Sequence, residues 1–238
     1  TAVGANALDA NTTTSNLTAV GYGALGANTT GADNVAVGHN TLDANTTGGY
    51  NTSTGTQSLT SNTTGANNTG FGYQTLASNT TAANNTAVGA TSLDANTTGA
   101  QNVAVGSAAL TANTTASNNT GIGFLALGAN TTGANNTAVG HGALDANTTA
   151  SNNTAVGGCS LHTAVTASLN VAVGYTALSE NTCGCMNTAI GHAALKYNTT
   201  APNNTAVGAL ALHCNNDAGG KENVAVGHYS LYLNVLEV

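Results

Sequence analysis

Residues 86–102 read TAVGATSLDANTTGAQN, and residues 103–119 read VAVGSAALTANTTASNN. The two segments superimpose without a gap, and the same opening recurs at Thr1, Thr18, Val35, Thr52, Thr69, Thr120, Thr137, Thr154, Val171, Thr188, Thr205 and Val224. From Thr1 to Thr18 is 17 residues, and that interval holds up to Thr205. The unit beginning at Thr205 is longer by two residues, and the extra length falls in 216–222. A short period repeated without interruption is the signature of coils that stack on one another, so residues 1–238 read as one continuous array of about fourteen coils.

Within a unit the fourth residue is always Gly, from Gly4 and Gly21 to Gly227, and the eighth is always Leu, from Leu8 to Leu231. Each unit also carries β-branched Val or Thr and an Asn-Thr-Thr run, all poor helix formers, with no apolar stripe at helical spacing. The fold class is therefore all-β: a parallel β-solenoid, or β-roll. Alternation along the opening strand places residues one and three on the same face. Taking that face as the interior turns Val3, Val20, Val37 and Val88 inward. A turn at Gly4 or Gly21 then leads into a second strand carrying Leu8, Leu25, Leu42 and Leu93 into the core. The remainder, Asn-Thr-Thr-Gly-x-x-Asn, is a return loop, and Pro202 falls inside it. Asn11, Asn28 and Asn45 head a column of asparagines at position eleven, broken only by Ala164, that reads as a ladder of stacked amides. Many of these residues are also formal glycosylation sequons, generated by the period itself.

Composition narrows the function. Charged residues make up 5% of the chain and aromatics 4%. With a net charge of −7 and Lys196 and Lys221 as the only lysines or arginines, no nucleic-acid footprint exists. No apolar stretch is long enough for a membrane span. The chain reads as a processed or partial product, since neither a leader nor an initiator Met is present. Recurrent glycines follow the period, not a phosphate loop, and no catalytic set is apparent. The expectation is a protein that is not an enzyme and needs no cofactor or metal.

Units of the form NTAVGxxALxANTTGxNN resemble the repeats of bacterial and phage tail-fibre-like proteins along the whole chain. The opening strand is also similar to the SVAIG strand of trimeric autotransporter adhesin heads. That resemblance implies a left-handed parallel β-roll with three chains side by side, although the period here is longer than in those heads. An extracellular fibre segment on a cell or virion surface follows, assembled as a trimer or filament, with a surface glycan or receptor as a further candidate partner.

Three sets of side chains are candidate sites. Position five carries Tyr22, His39, Tyr73, Phe124, His141, Tyr175, His192 and His228: a ridge for glycan stacking, a ring of His that binds an ion around a trimer axis, or a solvated or interchain packing row. Position nine carries Asp9, Asp43, Asp94 and Asp145, too far apart for a calcium site within the chain and better read as a solvated row. Cys159, Cys183, Cys185 and Cys214 lie in the last third and are candidates for local or interchain disulfides, with free thiols as the alternative. An alternative function is ice binding through rows of Thr12 and Thr13 and their equivalents, interrupted at Val165, Cys183, Asn216 and Asp217.

Overall fold

A computed structural model describes residues 1–215 and 220–234. The loop residues Asn216 and Asp217 therefore lie outside the described residues, as do 218 and 219 of the segment 216–222 that carries the extra length. The fold is all-β, a parallel β-solenoid of about 13 coils about 17 residues apart. It divides into two compact units, Thr1–Asn118 and Asn119–Val238. The first holds strands β1 to β7, from Ala2–Val3 to Val103–Val105. The second holds β8 (Thr120–Ile122) to β13 (Thr205–Val207) and β15 (Val224–Val226), with a second small sheet formed by β14 (Cys214–Asn215) and β16 (Leu233–Asn234).

In both units successive opening strands pair in parallel with no slip. Val35, Ala36 and Val37 face Thr52, Ser53 and Thr54; Thr154, Ala155 and Val156 face Val171, Ala172 and Val173. Like therefore stacks on like, about 4.8 Å apart, and every position of the repeat becomes a column.

The phase of the strand is opposite to the sequence expectation. Position two is buried, with Ala19, Ala36, Ala87 and Ala104 fully inaccessible, whereas Val3, Val20, Val37 and Val88 point away from the core. Val20 and Val88 are 36% and 37% exposed. The reason is the width of the interior. Opposite position two lies position seven, and the Ser53 and Ser58 hydroxyls already meet at 2.6 Å. Where position seven carries a hydroxyl on both sides of Gly70, a methyl there would come within 2.6 Å of Ser58 Oγ and 3.0 Å of Thr75 Oγ1. The gap admits a hydrogen, methyl or hydroxyl, and an inward isopropyl does not fit.

The segment expected to be a second strand is a chain of turns instead. Positions six and eight both take left-handed backbone, as in Asn40 (φ 51) and Leu42 (φ 53) or Gln74 (φ 53) and Leu76 (φ 51). Two left-handed residues so close together cannot make an extended strand. The backbone nevertheless bonds between coils: Leu25 N donates to Thr41 O at 3.1 Å, and Asn40 N to Tyr22 O at 2.8 Å. Leu25, Leu42 and Leu93 are fully buried, while Leu8 in the first coil is half-buried. A left-handed Leu costs on the order of 1–3 kcal/mol and its burial returns about 1.5–3 kcal/mol. The leucine column fills the core but does not by itself hold the coil.

Amide columns supply what leucine does not. At position eleven Asn45 Nδ2 donates to Asn28 Oδ1 and Asn62 Nδ2 to Asn45 Oδ1, both at 2.8 Å, and each amide also donates to the carbonyl three residues on. A second ladder runs at position seventeen, where Asn51 N donates to Asn34 Oδ1 at 2.8 Å and Asn34 Nδ2 to Gly48 O at 2.7 Å. Asn28 and Asn45 are wholly buried with their nitrogens in these bonds, so the folded chain offers neither to a glycan.

Candidate functional site

The interior columns are consumed by the coil, so candidate chemistry lies on the outward positions. At position five the structure brings three pairs together on adjacent coils. Tyr22 stacks on His39 (centroids 5.5 Å, planes 16° apart), Phe124 on His141 (5.7 Å, 13°) and Tyr175 on His192 (6.0 Å, 6°). Each is an exposed ring seated on the imidazole of the next coil. Tyr73 is exposed, and His228 meets its own neighbour Tyr229 edge-on at 4.3 Å. The row is thus a set of short aromatic steps and not one unbroken ridge.

At position nine the carboxylates do not converge. Burial alone raises the Asp94 carboxyl above its ordinary range. Among the described residues no group of three or more His, Cys, Asp or Glu is placed to hold a metal ion.

His213, also at position nine, is the most enclosed titratable ring. It stacks on Tyr232 (5.0 Å, 4°) and meets Tyr197 edge-on (4.9 Å, 87°), and its Nδ1 lies 3.4 Å from Cys214 Sγ. Burial first, then the positive charges of Lys196 and His192, push its pKa below the usual imidazole value. In the acid range the unfolded chain therefore takes up a proton that the folded coil resists. The contribution is fully present above the ordinary imidazole value and is lost as pH falls from there through the lowered folded value. Acidification from pH 7.5 to 5 is expected to lower the amide protection factors around Leu212–Cys214 more in the native chain than in His213→Gln.

The four cysteines are free thiols and form no disulfide within the chain. They occupy four different columns: position six for Cys159, thirteen and fifteen for Cys183 and Cys185, ten for Cys214. A bridge between coils is sterically natural only within one column, where adjacent Cα atoms fall in the 4.4–6.8 Å range a disulfide spans.

The two threonine rows differ. Position twelve is tied into the coil, with Thr46 Oγ1 donating to Thr63 O at 3.1 Å and Thr63 Oγ1 to Thr80 O at 3.0 Å. Position thirteen is exposed in every coil of the first unit, from Thr13, Thr30 and Thr47 to Thr115. The outward face of the sheet, positions one and three, is a second surface of Thr, Val and Ile with one exposed aromatic, Phe71. Sequence reasoning misses it, because assigning valine to the core hides that face. No charged side chain occupies either of its columns.

No described helix is long and apolar enough to cross a membrane. Comparisons with protein-family models, with curated proteins and with solved structures gave no match.

Proposed function

We propose that this chain is a structural fibre segment that assembles with copies of itself into a trimer or filament and serves attachment or scaffolding at a cell or virion surface. The observation that carries the reading is the column structure. The columns that Gly4, Leu8, Asn11 and Asn34 belong to are all accounted for by coil-to-coil packing and bonding, and none converges on a site. The uncharged outward sheet supports association, because Val20, Val88, Ile122 and Ile190 leave β-branched apolar surface in solvent on parallel strands. The exposed aromatic–imidazole steps at position five are the surface such a fibre would offer to a glycan.

Sedimentation of the full chain across a hundredfold concentration range, with electron microscopy of the same samples, tests the proposal. Trimers or filaments are expected. A monomer at every concentration that adheres to no cell surface or glycan would sink it.

A second reading, ice binding, is favoured by one observation, the exposed Thr at position thirteen of every coil of the first unit. It predicts thermal hysteresis that is lost when Thr47, Thr64 and Thr81 are changed together to Lys. Absence of hysteresis in the native chain disposes of it.

A further inference from the structure

The return loop of the coil that begins at Val171 departs from all others. Its sequence, Asn181-Thr182-Cys183-Gly184-Cys185-Met186-Asn187, puts sulfur at positions thirteen, fifteen and sixteen. In the ten preceding coils position thirteen is Thr, and position fifteen is Ser, Ala or Gly. The chain has 4 Cys and 1 Met, so three of its five sulfur atoms sit within four consecutive residues.

Local geometry puts the two thiols on one side. Positions thirteen and fifteen flank the buried Gly184, and both thiols face the loop of the preceding coil. Both lean toward the preceding coil: Thr166 Oγ1 donates to Cys183 Sγ at 3.5 Å, and Ser168 N donates to Cys185 Sγ at 3.4 Å. The Cys185 thiol in turn lies 3.5 Å from Cys183 O. Between them the loop is pinned, because Gly184 O accepts from Asn170 Nδ2 at 2.9 Å and from Asn181 Nδ2 at 2.8 Å. Cys183 is exposed, Cys185 half-buried, and Met186 is 54% exposed beside them. Neither thiol is in a disulfide.

We infer that this loop binds a single soft monovalent cation, Cu(I), through the Cys183 and Cys185 thiolates. Thiolate and thioether sulfur select Cu(I), whereas a structural zinc site requires four ligands and no third Cys, His, Asp or Glu converges here among the described residues. On binding, each thiol gives up its proton to solvent and forms one S–Cu bond. Copper stays in the +1 state and no electron is transferred, so the bis-thiolate site carries a net charge of −1.

The test uses the full chain, reduced and under anaerobic conditions, titrated with Cu(I) held by a chromophoric chelator. The expected result is transfer of one equivalent with an ultraviolet thiolate-to-copper band. Cys183→Thr and Cys185→Ser substitute residues that the repeat itself uses at those positions, so folding is preserved. Either should abolish the transfer, whereas Met186→Asn and the double variant of Cys159→Ala with Cys214→Ser should leave it intact. No transfer from the chelator, or undiminished transfer to the Cys183→Thr/Cys185→Ser variant, overturns the assignment. Self-assembly measured on the same variants is independent of these outcomes, so failure of the copper site leaves the fibre reading standing.

Discussion

Gly140→Ala is expected to destabilise the second unit by at least about 3 kcal/mol, the combined scale of left-handed strain and core overpacking. Gly140 sits at φ +138, a conformation L side chains rarely adopt. A Cβ built there would lie 2.6 Å from both the carbonyl carbon and the oxygen of Gly157, and 3.0 Å from Gly158 N. All three obstacles are backbone, so no rotamer change relieves them. Gly157 cannot retreat either, since its own added Cβ would lie 2.5 Å from Gly174 O. The glycines of position four form a column in which backbone rests on backbone, and one methyl wedges two coils apart. Gly128→Ala is the control: its Cβ would meet the flexible carboxylate end of Asp145 at 2.6 Å, its φ is not left-handed, and Ala77 already stands at that position. That change should stay within about 1 kcal/mol. Urea denaturation of the two variants decides the matter, and equal midpoints would mean that the glycine column is not a close contact.

The invariance of Gly and Leu is enough to read the coil, because a column of identical residues needs one structural reason per position. It is not enough to read the phase of the strand. Val-x-Val alternation shows only that Val35 and Val37 share a face, and choosing the core by hydrophobicity puts the larger residue inside. What decides the matter is the distance from position two to position seven, set by turns that the sequence does not announce. Leucine is not a usual left-handed residue, so Leu42 and Leu76 give no sign of their backbone conformation. By contrast Asn16, Asp33 and Asn67 at position sixteen are left-handed residues of the expected kind. The second amide ladder is present in the sequence as plainly as the first, as Asn34, Asn51, Asn68 and Asn85. It passes for turn chemistry because a turn asparagine and a ladder asparagine look the same until the coils are stacked. The sulfur-bearing loop is legible only against its neighbours: Cys183, Cys185 and Met186 stand out because the other coils define what those positions ordinarily hold.

Ala164→Asn is expected to stabilise the second unit by about 2 kcal/mol, against the usual direction of core substitutions. Ala164 is the one break in the position-eleven ladder among the described coils, and its consequence is visible: Asn147 Oδ1 is buried without a hydrogen-bond partner. Its equivalents Asn45 Oδ1 and Asn62 Oδ1 each accept an amide proton from the next coil at 2.8 Å. The backbone at the break matches its neighbours, with Ala164 N donating to Leu161 O at 3.2 Å just as Asn147 N donates to Leu144 O at 3.2 Å. An asparagine there would donate to Asn147 Oδ1 and to Ala167 O, and its oxygen would face Asn181 Nδ2. A buried acceptor left unpaired costs about 1–3 kcal/mol and each new bond contributes about 0.5–1.5 kcal/mol, from which ordering one more side chain subtracts. The reverse experiment belongs in the first unit. Asn96→Ala would remove the donors to Asn79 Oδ1 (3.0 Å) and Gly99 O (2.9 Å) and the acceptor of Asn113 Nδ2 (2.9 Å), and should cost about 2–4 kcal/mol. If Ala164→Asn proves neutral while Asn96→Ala is costly, the asparagines act by filling space and not by bonding. Asn96→Leu separates the two, since it keeps the volume and orphans the same partners.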